Sequence, residues 1–184
     1  MAFEIYDGRP VSGAGRLQRE IRVYDMLDAL GIVYRRADHP AAMTMEVCRD
    51  IDAVLGASMC KNLFLRNRQK TQFYLLMLPA DKPFKTKELS AQISASRLSF
   101  AEPEFMEAYL GVSPGSVTVL GLMNDTQNRV RLLVDADILD SEYIGCHPCV
   151  NTSSLRLRTR DIFDVFVPRA GHDVTRVFLG RDSE

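Results

Sequence analysis

A chain of 184 residues, 46% hydrophobic and 26% charged, is long enough to bury one core without staples and ordinary enough in composition for a globular domain. Its formal net charge of −1 excludes a protein that grips a long stretch of nucleic acid by charge alone, because such affinity comes from neutralised phosphates. No apolar run is long enough to cross a bilayer, four scattered cysteines do not frame a disulfide scaffold, and the early Glu4 does not suit a signal peptide, so the cytoplasm is the expected location.

Residues 1–15 read as a loose lead-in and 16–184 as one domain. Leu17, Ile21, Tyr24, Leu27 and Leu30 repeat at the spacing of one helix face, and Gly31 suits the C-terminal cap. Ile32-Val33-Tyr34 predicts a short strand ended by His39-Pro40. Thr44 can cap a second helix that turns Val47, Cys48, Ile51, Val54 and Leu55 inward and stops at Gly56. The β-like runs 62–66 and 73–78 flank the polar Asn67-Arg68-Gln69-Lys70, which predicts a hairpin. A short helix is expected over 86–93. Another opens at Pro103, carries Phe105, Met106, Tyr109 and Leu110, and ends at Gly111. Ser113-Pro114-Gly115 is a turn. Strands are expected over 117–120 and 130–134, on either side of an Asn124-Asp125 turn, and again over 155–157. A helix over 161–167 and a strand over 174–179 finish the chain. Helices and strands interleave while several strands are joined by short turns, which predicts an α/β fold whose single central sheet is mixed and largely antiparallel, flanked by helices.

Three groups of residues are candidates for chemistry. Lys61 opens an apolar strand in Cys60-Lys61-Asn62-Leu63-Phe64-Leu65; its ammonium either snorkels to solvent or points into a cleft, where it would hold a phosphate or an ester carbonyl. His147, in Gly145-Cys146-His147-Pro148, sits in a rigid polar loop with Asn151 and Thr152. It either makes a structural hydrogen bond or meets a ligand. Cys146 and Cys149 form half of a zinc ribbon without its other half, against the plainer reading of half-buried thiols. Arg156, Arg158 and Arg160 alternate as on one strand face, either solvated or turned to an RNA backbone.

These pieces occur in order. His39-Pro40-Ala41-Ala42-Met43-Thr44 comes first, then Cys60-Lys61-Asn62-Leu63-Phe64-Leu65. Leu110-Gly111-Val112-Ser113-Pro114-Gly115-Ser116-Val117, Gly121-Leu122-Met123-Asn124-Asp125 and His147-Pro148 with Asn151-Thr152 follow. Together they resemble the YbaK/prolyl-tRNA synthetase-associated editing superfamily, and within it the free-standing bacterial branch that clears alanine from tRNA specific for proline. The resemblance spans about Ile32 to Phe178, and the first thirty residues add a helix outside it.

The resemblance implies a sandwich-like α/β domain with a small aminoacyl pocket, a hydrolase of mischarged tRNA, and neither metal nor cofactor. It implies that the vicinal 2′-hydroxyl of the terminal adenosine helps attack the ester. Lys61 would anchor the terminal phosphate or the carbonyl, and Asn62 with backbone amides near Gly121 would steady the oxyanion. His147 would orient the amino-acid end, with Asn151 and Thr152 in the loop lining the pocket. Its partners would be the aminoacylated 3′ end of tRNA and, to deliver it, prolyl-tRNA synthetase; no membrane is implied. The logic is physical: a pocket built for proline rejects a smaller amino acid by only about 1–3 kcal/mol, so a second, tighter pocket is needed. The alternatives are removal of cysteine from the same tRNA, a non-catalytic module that binds tRNA ends or a partner protein, and a small zinc-binding protein.

Overall fold

The structure, a computed structural model, describes residues 3–41 and 45–180. In chain order these form β1 (Ile5–Asp7), α1 (Gln18–Ala29), β2 (Tyr34–Asp38), α2 (Met45–Leu55), β3 (Cys60–Asn67), β4 (Phe73–Pro79) and α3 (Thr86–Gln92). Then come β5 (Leu98–Phe100), α4 (Pro103–Phe105) running into a π-helical turn (Met106–Leu110), and a 3₁₀ helix (Val119–Asn124). The chain continues through β6 (Val130–Asp135), α5 (Ala136–Leu139), β7 (Tyr143–Cys146) and β8 (Ser153–Arg158). A π-helical segment (Asp161–Phe166), α6 (Val167–Arg169) and β9 (Val174–Val177) complete it.

The fold is the mixed α/β arrangement expected, with mostly antiparallel pairing, but its strands are shared between two sheets. One is antiparallel, in the order β1-β2-β8-β7; the other runs β5-β3-β4-β6-β9, with β4-β6 and β6-β9 parallel. They meet at an isolated parallel bridge between Met59 and Gly145. The larger sheet is buried on both sides, and the side-chain period of two sorts its residues. Phe73, Leu75 and Met77 of β4 enter the main core with Val23, Tyr24 and Leu27 of α1, while Tyr74, Leu76 and Leu78 enter a second cluster with Leu89 of α3.

Local chemistry explains the ends of elements. Gly31 (φ 67°) closes α1, its amide bonding to the Asp28 carbonyl at 3.0 Å, and Ile32 N–H reaches Leu27 O at 2.9 Å. In the β3-β4 hairpin, Asn67 Oδ1 accepts from the amides of Thr71 (2.9 Å) and Gln72 (3.1 Å). Arg156 Nη1 donates to the last carbonyl of α2, Leu55 O, at 3.1 Å, and its guanidinium lies 3.8 Å over the Tyr143 ring.

Several elements differ from expectation. The lead-in contributes an edge strand, β1, and β2 begins at Tyr34 because Ile32 and Val33 complete the exit from α1. Ile51 and Leu55 of α2 are fully buried but Val54 is 41% exposed; Thr44 lies outside the described residues. The run 117–120 is not a strand: the Thr118 hydroxyl caps the Leu120 amide at 3.3 Å and a 3₁₀ helix follows, so a local hydrogen bond overrides the β-branched composition. Arg160 lies beyond β8, and Arg156 is drawn down onto Tyr143, so the three arginines form no common stripe. Among the described residues no helix is long and apolar enough to cross a membrane.

Candidate active site

The outer edge of β3 is paired at both ends and open in the middle. At one end Met59 bridges Gly145, and at the other Leu65, Arg66 and Asn67 pair with β5 while Ala101 N–H gives a 2.9 Å hydrogen bond to Phe64 O. Asn62 falls in the gap, which opens into a cavity of about 330 Å³. Its lining comprises Cys60, Leu63 and Phe64 of β3, Phe100 and Met106, and Pro114-Gly115, Val117 and His147.

Each wall has a local cause. Ser113–Ser116 is a β-turn with Pro114 and then Gly115 at φ 85°, closed by Ser116 N–H to Ser113 O at 3.0 Å; the left-handed second position requires the glycine. His147 follows β7 directly. Its Nδ1 lies 2.8 Å from the Ser153 carbonyl, which can only accept, so Nδ1 carries the proton and Nε2 the lone pair. Burial pushes the imidazole below the ordinary histidine range; the Ser153 carbonyl opposes this and the neighbouring His39 adds to it. His147 is therefore neutral at neutral pH, a base and acceptor.

Asn62 donates from Nδ2 to Cys60 O at 3.0 Å, while its Oδ1 is buried and accepts no hydrogen bond from any described residue. A buried acceptor without a donor is costly, and its presence beside a cavity marks a place for a donor from elsewhere. His39, its ring centroid 6.1 Å from that of His147, spends both nitrogens, on Pro40 O (3.1 Å) and Ser154 Oγ (2.8 Å).

The remaining expected residues are less uniform. Lys61 leaves β3 on the face opposite Asn62, as strand alternation requires, and its Nζ donates to Lys82 O at 2.9 Å. Asn151 stands across the turn: a Cβ on Gly115 would lie 3.5 Å from its Nδ2. The Thr152 side chain is exposed and its carbonyl takes the His39 amide at 3.0 Å. Gly121 N–H is spent on Thr118 O at 3.1 Å, and a Cβ there would meet Leu110 O at 3.0 Å, so this glycine permits close packing of the 3₁₀ helix. The structure thus brings Asn62 and His147 to one cavity, places Asn151 beside the Gly115 turn that lines it, and sets Lys61 on the other face of β3.

Three of the four cysteines, Cys60, Cys146 and Cys149, are buried thiols. Burial raises Cys60 and Cys149 to about 12 and Cys146 further still, which leaves no thiolate to attack or ligate. Among the described residues no group of three or more His, Cys, Asp or Glu could hold a metal ion. A larger hollow of about 480 Å³ beside Arg129, Arg131 and His172 has its groups committed. Arg129 donates to Gln127 (2.8 Å), Arg131 to Thr175 (3.1 Å), and His172 contacts Asp125 and Ala170 O (both 2.9 Å). Sequence reasoning missed Phe100 and Met106, because β5 is too short to show a period and Met106 reads as ordinary helix.

Residues 39–165 match the sequence family described as the aminoacyl-tRNA editing domain. The chain is 30% identical over 136 residues to the prolyl-tRNA editing protein ProX of Acetoanaerobium sticklandii, covering 74% of this chain and 83% of that one. It is 30% identical over 164 residues to the prolyl-tRNA synthetase associated domain-containing protein 1 of Xenopus laevis, covering 87% and 95%. Its fold is similar to a crystal structure described as that of a candidate trans-editing enzyme for prolyl tRNA synthetase, with a TM-score of 0.65 at 16% identity over 89% of this chain and 99% of that one.

Proposed function

The chain belongs to the aminoacyl-tRNA editing domain family, and from that premise we propose that it hydrolyses the ester of mischarged tRNA specific for proline, alanine being the amino acid removed. The observation that carries this reading is the pairing, in one cavity at the open edge of β3, of a buried acceptor without a partner among the described residues, Asn62 Oδ1, with His147, whose Nδ1 is engaged and whose Nε2 is left as an acceptor. An α-ammonium group is a compact donor in several directions and suits both. With the amino group held there, the ester carbonyl faces the Gly115 turn, whose amide donates to no described residue and can receive the developing oxyanion.

The reaction adds water across the ester: the oxygen joins the carbonyl carbon, the bond to the ribose oxygen breaks, and the leaving alkoxide takes a proton. No described side chain is an activated nucleophile, so the chain's contribution is placement of the ester against the substrate's own 2′-hydroxyl. His147 acts as a positioning acceptor. Lys61 contacts the terminal phosphate from the opposite side of β3, exchanging the Lys82 carbonyl for it. Asn151 buttresses the turn. Phe64, Met106 and Val117 set an apolar wall that admits a methyl group and resists the ring of proline. No metal takes part, and prolyl-tRNA synthetase supplies the mischarged tRNA.

The test is release of amino acid from tRNA specific for proline charged with alanine, cysteine or proline. Alanine should leave fastest and proline slowest, with no loss of rate in chelator. Asn62→Ala and His147→Ala should each lower kcat/KM at least tenfold, and Lys61→Ala should act mainly on KM. A substrate with hydrogen for the 2′-hydroxyl should be inert. No release from any of the three tRNAs would leave a module that holds tRNA ends without chemistry.

A further inference from the structure

We infer that Phe100 is the platform on which the terminal base of the RNA stacks, so that the nucleoside rests along the open edge of β3 while its aminoacyl group enters the gap; the inference rests on the deacylase reading above. The Phe100 side chain lines the cavity that holds Asn62 and His147, yet it stands 59% exposed. Register fixes the way it faces. Phe100 is paired with Leu65, and directly opposed residues of an antiparallel pair share a face. Lys61 and Leu65 are separated by an even number of residues on β3, so Lys61 shares that face too, and Asn62 does not.

The opening is therefore two-sided. On one face lie two acceptors suited to an amino group, and on the other lie an aromatic ring at the cavity and a cation further along the strand. Four residues of strand separate Lys61 from the point opposite Phe100, about 13 Å at the usual rise. Between them on that face stands Leu63, packed against the second cluster and lining the cavity, so a single nucleotide would lie along the strand edge over Leu63 with its base at Phe100. In an aminoacyl ester of a terminal ribose, the base hangs from the same sugar as the ester, a few bonds away. With the carbonyl beside Asn62, the base cannot lie far from the mouth. Phe178 and Tyr6, also exposed aromatics, do not line this cavity. Stacking needs no particular base, because every base has a π face, and so it fits a site that serves a 3′ end rather than a sequence.

The chain has no tryptophan, so Phe100→Trp introduces a single indole as reporter. An uncharged RNA microhelix ending in adenosine should quench its emission, and the same microhelix ending in an abasic ribose should not. In steady-state deacylation, Phe100→Ala should raise KM about tenfold or more, as loss of one stacked base implies, and change kcat less than about threefold. Phe100→Tyr and Phe100→Trp should restore KM, whereas Phe100→Leu, apolar but without a π face, should not. Urea midpoints should match across the series, because the ring is mostly in solvent. Equal KM values for the alanine, leucine and wild-type chains, or equal quenching by the abasic microhelix, would overturn the inference. So would an effect of Phe100→Ala that appears only with prolyl-tRNA synthetase present, which would mark the ring as a protein contact. If wild-type chain releases no amino acid at all, the activity is refuted instead, and the quenching still decides the stacking.

Discussion

Gly145 joins the two sheets, and replacing it by alanine tests whether that junction holds the site. A Cβ there would stand 2.7 Å from Met59 Sδ and 3.1 Å from both Cα and N of Met59. The thioether tip can swing aside, but the backbone atoms cannot retreat without stretching the bridge, where Gly145 N–H meets Ser58 O at 3.0 Å. Overpacking of this kind costs about 1–3 kcal/mol. With one contact relievable and two not, about 2 kcal/mol is expected, which lowers Tm by about 4–8 °C for a domain of this size. His147 follows Gly145 by two residues, so kcat/KM should fall as well, at temperatures where the variant is folded. Calorimetry and urea melts measure the first effect and deacylation the second. Gly13→Ala is the control: its Cβ meets nothing closer than Ile21 Cδ1 at 3.4 Å, and the change should stay within about 0.5 kcal/mol. Adding Met59→Ala to Gly145→Ala should recover only part of the loss. A wild-type melt for Gly145→Ala, or full recovery in the double variant, would refute the reasoning that backbone contact carries the cost.

Burial lowers the pKa of both His147 and His39 from the ordinary 6.5. Acid therefore protonates the unfolded chain first: stability is complete above about 6.5 and declines as pH falls below it towards the folded values. The kcat/KM profile should fall along an acid limb with its midpoint below 6.5, as His147 Nε2 gains a proton; a flat profile to pH 5 would remove that lone pair from the mechanism. Asp125→Ala strands a His172 contact at 2.9 Å and the amides of Val130 (2.7 Å) and Arg129 (3.0 Å), and should cost about 3–5 kcal/mol in urea melts. Iodoacetamide at pH 8 should label Cys48, which is half-buried, well before Cys60, Cys146 or Cys149; rapid labelling of all four would contradict their burial. A single phosphate contact predicts a slope of log affinity on log salt near −0.7, and a slope several times steeper would require a longer RNA footprint.

Much of this architecture could be read in advance where a pattern is long. The β3-β4 hairpin and the Ser113-Pro114-Gly115 turn stand as their residues indicate, and so does α1, although Leu17 is its N-cap and 59% exposed while Val23 joins Tyr24 and Leu27 on the buried face. What could not be read is short or relational. β1, β5 and β7 span three or four residues each, below the length at which a period of two declares itself. Yet β7 leads directly into His147 and β5 carries Phe100. Family motifs also mix roles that a string cannot separate. In Gly121-Leu122-Met123-Asn124-Asp125, Asn124 holds Leu110 O at 2.9 Å and Asp125 holds His172, so this turn braces the fold, whereas Asn62 two segments earlier keeps a free acceptor. One relation was available from the sequence alone: adjacent residues of a strand face opposite ways, so Lys61 and Asn62 never had one wall to share.

That opposition also says which lysine an RNA can recruit. Lys82 lies beside Lys61, but its ammonium is bound to buried Asp135 at 2.7 Å and to Asp137 at 2.8 Å. Drawing it away would leave a carboxylate unpaired in the interior, at about 3–5 kcal/mol. Lys61 gives up only a neutral carbonyl, a hydrogen bond worth about 0.5–1.5 kcal/mol, and a charge-assisted bond to phosphate exceeds that. Arg16 and Arg66 are likewise held by carboxylates, in the pairs with Asp38 (2.6 Å) and Glu102 (2.7 Å). On the proposed reading, a chain with a net charge of −1 would meet RNA at its very end through Lys61, a cation that its own carboxylates have not claimed.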